Sequence, residues 1–312
     1  MTAPPGTPAI GVAVITHAAR RHLSRCLPPY LGSPLKPRVM VVNSSSDDGT
    51  VEEAARLGAE TLVIPRREFN HGSTRELARK RLGTDIVVMT TPDAYPEDEE
   101  TLGALVAPLI EGRAAVSYAR QIAHEGADFF EAFPREFNYP AVSQLRGMDD
   151  AAKYGVYTFF CSDSCSAYVN AALDEIGGFR PVLTNEEAVV VPMLLGRGHK
   201  IAYVAEARVR HSHRYSLAKE FRRYFDTGLA RRQCRDLLKE GGPDEKRGAG
   251  FVGAMLRDLL RTGRLHLVPY AVVQSGVKWL GYRTGVMSVG APLWLKRSLS
   301  AQDFYWRSGP GR

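Results

Sequence analysis

Short apolar segments alternate with longer amphipathic segments through the first 120 residues, and this alternation constrains the fold more than any other feature of the sequence. The apolar segments have the length of buried β-strands, and the amphipathic segments have the periodicity of helices. Strands joined by helices need crossover connections, so we predict an α/β fold with a mostly parallel sheet that is covered by helices on both faces. The predicted strands cover residues 10–15, 38–42, 61–64 and 85–90, and the predicted helices cover residues 20–31, 50–57 and 72–82.

The ends of these strands indicate where a ligand would bind. In open α/β sheets, ligands bind beside the carboxyl ends of the strands, which are followed here by Thr16-His17, by residues 43–48 and by residues 91–94. The sequence lacks both the glycine-rich turn of dinucleotide-binding folds and the phosphate-binding loop of P-loop kinases. Asp93 follows the fourth strand, where a carboxylate can hold a divalent ion against a diphosphate, although its segment also suits a plain turn.

The composition is that of a folded protein with a basic C-terminal third. Of the 312 residues, 44% are hydrophobic and 24% are charged, and the four cysteines are too few for a disulfide scaffold. No apolar run approaches the length of about 18 residues that a membrane span requires. The first eight residues lack the features of a signal peptide, so we expect a cytoplasmic protein.

The basic charge is concentrated near the end of the chain. Residues 206–312 contain 21 Lys and Arg against 9 Asp and Glu, whereas residues 1–205 contain 20 against 25. Together with Trp279, Trp294 and Trp306, this tail predicts peripheral contact with an anionic membrane surface at the inner face of the plasma membrane. A merely solvated basic surface is the alternative. The tail has no recognised nucleic-acid-binding module, so nucleic acid is not an expected partner.

The middle of the chain is less regular. From Ala123 to Tyr157 the periodicity is lost and aromatic residues accumulate, which predicts an irregular lid over the edge of the sheet. A helix over residues 186–195 and a strand over residues 200–204 follow. A long basic helix is then predicted from Leu217 to Glu240, where two glycines and a proline end it.

Several segments together resemble one enzyme family. The first is Phe69-Asn70-His71-Gly72-Ser73-Thr74-Arg75, and the second is Thr91-Pro92-Asp93-Ala94. These two segments are similar to those of bacterial family-2 glycosyltransferases that add rhamnose to O-antigens and capsules. The resemblance continues in collinear order over roughly residues 10–306, which makes it more specific than any single motif. The later matching segments lie at residues 159–163, 166–168, 177–179, 200–204, 209–213, 215–216, 221–226 and 294–306.

This resemblance implies a fold, a reaction and a division of the chain. It implies the GT-A fold of nucleotide-diphospho-sugar transferases, with a C-terminal helical appendage. The implied reaction transfers L-rhamnose from dTDP-rhamnose to a glycan or lipid-linked acceptor hydroxyl, with inversion and with Mg²⁺ or Mn²⁺ as the cofactor. The aromatic lid would then cover the acceptor. We expect a disordered segment over residues 1–9, a catalytic domain over residues 10–215 and the basic helical region over residues 216–312.

The resemblance also assigns roles to individual residues around the donor. The metal ligands are Asp93 and His211, whereas His213 is given less weight on the expectation that strand alternation turns it to the opposite face. The expected donor-binding residues are Thr16, His17, Asn43, Arg75, Pro92 and Asp93. Asp48, in the turn after the second strand, is as readily explained by a structural role as by donor contact.

The catalytic base is assigned to the acidic pair that begins a predicted helix. An inverting transferase needs a carboxylate that takes the proton of the acceptor hydroxyl, and Glu187 stands where the family has an aspartate. Glu186 is expected to stabilise the start of the helix electrostatically. The alternative is that both acidic residues only stabilise the helix dipole and that neither is catalytic, and the spacing explains this equally well. Asp163 is the reserve candidate for the base.

Three departures from the family pattern keep alternatives open. Asn43 stands in place of an aspartate, Pro92 in place of a glutamine, and Glu187 in place of the shorter aspartate. These changes are compatible with a different nucleotide-sugar donor, with altered metal dependence, or with a non-catalytic module that only binds nucleotide sugars. The acceptor, the linkage and the oligomeric state, including a homo-oligomer, are left open.

Overall fold

Nine strands within residues 8–237 and 244–307, which this computed structural model describes, form one mixed β-sheet. The strand order is β3-β2-β1-β4-β8-β6-β9-β5, and β7 pairs with β9 beside this row. The strands β1 to β4 are parallel, as predicted, whereas β8 runs antiparallel to both β4 and β6. The strands are β1 (Ile10–Thr16), β2 (Arg38–Asn43), β3 (Glu60–Val63), β4 (Ile86–Thr90), β5 (Tyr95–Pro96), β6 (Val116–Ile122), β7 (Gln144–Arg146), β8 (Cys165–Val169) and β9 (Ile201–Arg210).

Helices cover both faces of this sheet and continue beyond it toward the end of the chain. Helices α1, α2 and α4 pack on one face, and α3, α7 and α8 pack on the other. The helices of the described residues are α1 (Arg20–Leu31), α2 (Thr50–Leu57), α3 (His71–Leu82), α4 (Thr101–Ile110), α5 (Phe129–Asn138), α6 (Ala151–Tyr154), α7 (Asn170–Glu175), α8 (Glu187–Gly196), α9 (Leu217–Gln233), α10 (Asp244–Arg261), α11 (Val268–Met287), α12 (Leu293–Leu299) and α13 (Asp303–Arg307).

The alternation of side chains along the strands explains this layering. In β1, Val12 and Val14 belong to the core that contains α1, whereas Ala13 and Ile15 belong to the core that contains α3. A strand with apolar side chains on both faces is stable only when helices cover both faces. The predicted helix over residues 20–31 and the one over residues 50–57 are confirmed at both ends.

The segment predicted to be an irregular lid contains regular structure. Helix α5 and strand β7 lie within residues 123–157, so the prediction of lost periodicity is wrong there. The Asp128 side chain accepts hydrogen bonds from the backbone of Phe130 and Glu131 in a capping box that begins α5. Strand β9 is also longer than predicted, since it continues to Arg210.

The C-terminal helices share cores with the rest of the chain. Phe133 of α5 packs with Met255 of α10 and Ala271 of α11. Trp306, which was predicted to lie at a membrane surface, is instead buried with Leu183 and Phe225. That part of the prediction is wrong, because the last helix packs against α9 and against the chain before α8. Helix α9 begins at Leu217, and the division of the chain after residue 215 stays a prediction.

Helices α9 and α11 approach each other unusually closely because glycines lie between them. A Cβ atom added at Gly228 would lie 2.2 Å from the carbonyl oxygen of Tyr282, and one at Gly285 would lie 2.0 Å from that of Phe225. Only glycine permits two helix backbones to come this close.

Some predictions fall partly outside the described residues. Of the N-terminal segment predicted to be disordered, only residues 8 and 9 are described, and the Ala9 amide donates a hydrogen bond to Asp85. The long basic helix predicted from Leu217 to Glu240 is shorter than expected, because α9 ends at Gln233 and a 3-10 turn over Arg235–Leu237 follows, so its predicted extent is wrong. The predicted helix end at Glu240 and the break at residues 241–243 lie outside the described part of the chain. No helix in the described part is long and apolar enough to cross a bilayer.

The start of α3 is fixed by two residues of the segment 69–75. The Asn70 side chain accepts hydrogen bonds from the amides of Gly72 and Ser73, and it donates one of 2.7 Å to the carbonyl of Val182. A Cβ atom at Gly72 would lie 1.8 Å from the carbonyl oxygen of Arg180. This segment therefore brings the first turn of α3 against the chain that leads into α8.

We expect Gly72→Ala to lower the free energy of unfolding by roughly 1–3 kcal/mol or more, because the Arg180 backbone would have to move. Denaturant unfolding would measure this effect. Gly103→Ala on α4 is the matched control, because its added methyl would meet no atom within 4 Å. It should change stability by less than about 1 kcal/mol and in the stabilising direction. Equal effects of the two substitutions would contradict the close contact at Gly72.

Candidate active site

The first candidate region lies at the carboxyl ends of β1 and β2. Thr16 and Asn43 are paired in the sheet, and the Thr16 hydroxyl donates a 3.2 Å hydrogen bond to the Asn43 carboxamide oxygen. The chain leaves both strands through left-handed backbone conformations, at Ala18 with φ 50° and at Ser45 with φ 46°. Such conformations are costly for residues other than glycine and are concentrated at functional sites. A cleft of about 620 Å³ opens here, lined by Ala18, Arg20, Arg21, Asp48 and Glu53.

Asn43 has an unused hydrogen-bond donor at this edge. It is 1% exposed, and its side-chain nitrogen has no hydrogen-bond partner among the described residues. Its oxygen, in contrast, also accepts from Ser46. The exposed His17 lies beside it, with Nδ1 3.0 Å from the carbonyl oxygen of Ser44. A buried amide nitrogen without a hydrogen-bond partner lowers the stability of the fold. A ligand carbonyl could accept a hydrogen bond from the Asn43 nitrogen and remove this cost.

Asp48 has a structural role in this loop. Its carboxylate accepts hydrogen bonds from the Thr50 and Ser46 hydroxyls and from the Arg20 amide. Desolvation opposes ionisation, but these hydrogen bonds lower the pKa of Asp48 to about 2. The carboxylate is therefore ionised at neutral pH and joins the two loops at the strand ends.

The second candidate region is the metal-ligand group of Asp93, His211 and His213. The Nε2 atoms of His211 and His213 lie 3.7 Å and 3.5 Å from the two carboxylate oxygens of Asp93. One ligand atom from each residue lies within 4.8 Å of the others. Pro92 is half-buried in the turn after β4, and the Ala94 amide closes this turn on the Thr91 carbonyl.

The expectation that His213 points away from Asp93 is wrong. Residues two positions apart on a strand share a face, so alternation would have placed both histidines on the same side. Moreover, β9 ends at Arg210, and the two imidazoles lie edge to face with ring centroids 4.6 Å apart. His213 is therefore a third candidate ligand.

The protonation of this group suits a cation. Burial lowers the pKa of His213 to about 4 and that of His211 well below its ordinary value, so both rings are neutral at pH 7. Desolvation would raise the pKa of Asp93, but the histidines and the Thr91 hydroxyl lower it below its ordinary value. An ionised carboxylate and two neutral imidazoles are the forms that bind metals.

Gln121 orients the imidazole ring of His211 through a hydrogen bond at Nδ1. Its side-chain oxygen lies 2.9 Å from His211 Nδ1, and its side-chain nitrogen donates a 2.8 Å hydrogen bond to the Ser162 hydroxyl. In this arrangement Nδ1 carries the proton, and Nε2 presents its lone pair toward Asp93. Sequence reasoning missed Gln121, because no local pattern connects residues 90 positions apart.

The third candidate region is a carboxylate cluster around Arg75. This guanidinium is buried, with Nη1 2.7 Å from Glu186 and Nε 3.4 Å from Asp163. The expectation that Glu186 acts through helix-start electrostatics is wrong, because its side chain is buried in this ion pair. Contact of Arg75 with a donor stays a prediction, since its described partners are these two carboxylates and the carbonyl of His71.

Glu187 differs from the other two carboxylates of the cluster. Asp163 is 4% exposed, and one of its oxygens accepts from both Ser166 and Tyr168 at 2.6 Å. Glu187 is partly exposed at the first position of α8, and no ion pair is found for it among the described residues. Asn185, two residues before Glu187, has a left-handed φ of 60°, and this conformation sets the direction in which α8 begins.

The electrostatics of the cluster favour a proton on Glu187. Desolvation and the neighbouring charges of Glu186 and Asp163 raise the pKa of Glu187 well above its ordinary value. Burial, opposed by Arg75, raises the pKa of Asp163 to about 6. Three carboxylates surround one guanidinium, so the cluster retains a proton most readily on the member that lacks an ion pair. Because Arg75 already supplies the positive charge, this cluster is a poor site for a metal ion.

Comparisons with known proteins show which proteins this chain resembles in sequence and fold. The model of a family described as Glycosyl transferase family 2 matches residues 12–177. The chain is 32% identical over 274 residues to the O-antigen chain rhamnosyltransferase RfbN of Salmonella typhimurium, and the alignment covers 87% of each protein. It is also 32% identical over 273 residues to the O-antigen chain rhamnosyltransferase WbaN of Salmonella anatum, which covers 87% of this chain and 86% of that relative.

A solved structure shares the fold at much lower identity. The mannosyltransferase PcManGT from Pyrobaculum calidifontis, determined in complex with GDP-Man and Mn²⁺, has a TM-score of 0.64 and 15% identity. The match covers 93% of this chain and 90% of that chain.

We expect the metal-ligand group to bind Mn²⁺, and we expect Gln121→Leu to weaken this binding roughly 10–100-fold through loss of the His211 orientation. Electron paramagnetic resonance of free Mn²⁺ would measure the affinity without any turnover. Gln121→Glu keeps an acceptor for Nδ1 and should retain binding, whereas Asp93→Ala should abolish it. Unchanged Mn²⁺ affinity in Asp93→Ala would rule this site out.

Proposed function

The chain belongs to glycosyl transferase family 2 and has the GT-A fold that its sequence predicts, and on this basis we propose that it transfers L-rhamnose from dTDP-rhamnose to an acceptor hydroxyl. The acceptor in this proposal is a glycan, lipid-linked or another glycoside, and the transfer inverts the anomeric centre. The names of the two rhamnosyltransferase relatives support the sugar, since each is aligned over most of its length.

One observation carries the proposal for the mechanism. Gln121 contacts both His211 of the metal-ligand group and Ser162, and Ser162 precedes Asp163 of the cluster that contains Glu187, whose pKa is raised. The metal-ligand group and this separate carboxylate therefore lie at the same edge of the sheet. Transfer with inversion needs these two functions in two places. One stabilises the departing diphosphate, and the other takes a proton on the acceptor side.

The roles of the residues follow from this division. Asp93, His211 and His213 would hold a divalent ion, which neutralises charge on the donor diphosphate when it is bound. We propose Mn²⁺ rather than Mg²⁺, because two of the three ligands are imidazoles and Mg²⁺ prefers oxygen ligands. The complex of PcManGT with Mn²⁺ supports the same choice. Thr16, His17 and Asn43 are proposed to contact the nucleoside at the cleft beside β1.

Glu187 is proposed to be the catalytic base. It would accept the proton of the acceptor hydroxyl while the oxygen forms a bond to the anomeric carbon, and the bond from that carbon to the diphosphate oxygen breaks. A raised pKa makes the carboxylate a stronger base once it is deprotonated. Asp163 is less suited to this role because it is buried and one oxygen already accepts two hydrogen bonds. Arg75 would keep Glu186 and Asp163 fixed behind Glu187.

The basic C-terminal helices are further proposed to rest on an anionic membrane. Trp279 of α11 and Trp294 of α12 are 60% and 69% exposed, and Met287 between them is 79% exposed. Residues 206–312 carry 21 basic side chains against 9 acidic ones. Aromatic side chains and basic charge on one region are typical of proteins that bind the membrane interface from the cytoplasmic side.

The donor and the base can be tested in one assay. We expect the protein to release dTDP from dTDP-rhamnose in preference to other nucleotide sugars, slowly alone and faster with an acceptor. Glu187→Gln should lower kcat by about 10²–10⁴ and leave the donor affinity nearly unchanged. Because Glu187 must be deprotonated, kcat/KM should rise with pH above the ordinary carboxyl range, and this rise should disappear in Glu187→Gln.

Glu186→Gln is the matched control for this assay. It should lower thermal stability, because loss of a buried ion-pair partner costs roughly 3–5 kcal/mol, of which Asp163 compensates a part. Its turnover per folded molecule should fall less than that of Glu187→Gln, and Glu187→Asp should keep activity. A dead Glu186→Gln beside an active Glu187→Gln would reverse the assignment, and preference for another nucleotide sugar would refute the donor.

Membrane binding is testable by co-sedimentation with vesicles. We expect binding to anionic vesicles that decreases as salt increases, because the charges are screened. Replacing Trp279 and Trp294 together by alanine should weaken it. Leu77→Ala, which removes an apolar side chain that is 44% exposed on α3, should have no effect. Equal binding to neutral and anionic vesicles would disprove the electrostatic part.

A further inference from the structure

Residues 300–306, which follow α12 and which we call the C-terminal strap, are anchored on the body of the protein at both ends. The Ala301 amide donates a 2.8 Å hydrogen bond to the buried carboxylate of Asp226 on α9. Near the other end, Trp306 is 5% exposed in a core that includes Leu183. The residues between these two anchors therefore have a fixed position.

Phe304 of the C-terminal strap contacts the segment that leads into α3. Its ring lies edge to face against Phe69, with centroids 5.1 Å apart, and its centroid is 5.9 Å from that of His71. The guanidinium carbon of Arg66 lies 4.7 Å from the centroid of Phe304 and 5.3 Å from that of Phe69. A guanidinium within about 6 Å of an aromatic face is attracted to the ring. The strap thus supplies one of the two rings that hold Arg66.

Arg66 is held by these rings and by one hydrogen bond. The residue is half-buried, and no ion pair is found for it within the part of the chain that the structure describes. Burial lowers the pKa of Arg66, although an arginine stays charged at neutral pH. Its Nη1 donates a 2.9 Å hydrogen bond to the hydroxyl of Ser44. The two rings therefore aim the guanidinium at Ser44.

Ser44 connects Arg66 to the proposed nucleoside site. It is 1% exposed and follows Asn43 at the carboxyl end of β2. Its amide and its hydroxyl both donate hydrogen bonds to the carbonyl of Thr16, at 3.1 Å and 3.3 Å. Its own carbonyl oxygen lies 3.0 Å from Nδ1 of His17. All three residues that are proposed to contact the nucleoside therefore adjoin Ser44.

The backbone just after Ser44 depends on support of this kind. Ser45 has a left-handed φ of 46°, which a residue other than glycine keeps only where its surroundings fix it. The Ser45 hydroxyl donates a 2.7 Å hydrogen bond to the carbonyl of Ile64, two residues before Arg66. The chain around Arg66 thus holds this loop at two consecutive serines.

We propose that Phe304 and Arg66 are positioning residues for the nucleoside part of the donor. The C-terminal strap places Phe304 on Arg66, and Arg66 fixes Ser44, beside which the nucleoside is proposed to bind. This role rests on the proposed transferase function. It makes the end of the chain a part of the donor site, although neither side chain acts on the reacting atoms.

Isothermal titration calorimetry with dTDP and the full chain tests this role without turnover. Arg66→Met should weaken binding about tenfold, as for loss of a hydrogen bond from a charged group. Phe304→Ala should weaken it roughly fivefold through loss of the contact with the cation, whereas Phe304→Tyr keeps the ring and should bind normally. Arg67→Met is the matched control, because it removes the same charge from a neighbouring side chain that is 84% exposed. Its affinity for dTDP should be unchanged.

A double-mutant cycle separates positioning from a general loss of stability. If Phe304 acts through Arg66, the variant that combines Arg66→Met with Phe304→Ala should bind dTDP no more weakly than Arg66→Met alone. Titrations well below the melting temperature of each variant keep the protein folded. Additive losses would mean that the strap only stabilises the fold, and they would overturn the proposal.

Thymidine, measured in competition with dTDP, locates the effect on the ligand. Because Arg66 is proposed to act at the nucleoside end, Arg66→Met should weaken thymidine and dTDP by the same factor. A loss confined to dTDP would mean that Arg66 contacts a phosphate, and the positioning role would be wrong.

Turnover of dTDP-rhamnose by the unmodified protein is measured separately. If this donor is not turned over but the binding pattern holds, the proposed function fails and the positioning role stands. If both single variants bind dTDP as the unmodified protein does, the positioning role is refuted and the proposed function is unaffected. Failure of the unmodified protein to bind dTDP would refute both.

Discussion

The buried guanidinium of Arg75 joins three parts of the chain that are distant in sequence. It lies on α3 and pairs with Asp163 before β8 and with Glu186 at the start of α8. A buried charge is tolerated only with such partners, so these three elements cannot separate without a large cost. Burial, together with the neighbouring charges of Glu186 and Asp163, raises the pKa of Glu187, and Arg75 opposes this rise. The ion pairs of Arg75 thus support the fold and hold in place the two carboxylates that act on the proposed base.

The position of Arg75 depends in turn on the segment 69–75, which is the first of the segments that resemble the family. Asn70 caps α3 and bonds to Val182, and Gly72 lets the Arg180 carbonyl approach the helix. These contacts connect the donor half of the sheet to the chain leading to Glu186. In its described contacts, the segment 69–75 packs the start of α3 against the chain before α8. This packing positions Arg75 beside Asp163 and Glu186.

The site is completed by elements that do not belong to the parallel half of the sheet. Gln121 on β6 orients His211 after β9, and a cavity of about 290 Å³ between α5, α9 and α11 adjoins His213. The C-terminal helices are therefore more than an appendage, because they share cores with α5 and with Leu183 near α8. Prediction failed for α5 because Pro134 interrupts its helical pattern, although Phe130, Phe133 and Phe137 have helical spacing and Asp128 with Glu131 forms a capping box.

The sequence by itself determined the four strands of the parallel half, the edge of the sheet at which their carboxyl ends meet, and Asp93 as the acidic residue at that edge. These features follow from periodicity and from the general geometry of parallel sheets, which are local or universal. Only the tertiary structure decided that Glu186 pairs with Arg75, that Gln121 selects the tautomer of His211, and that a cavity adjoins His213. Each of these depends on contacts between residues about 90 or more positions apart, as for Gln121 with His211 and Arg75 with Glu186, and no local pattern encodes such pairings.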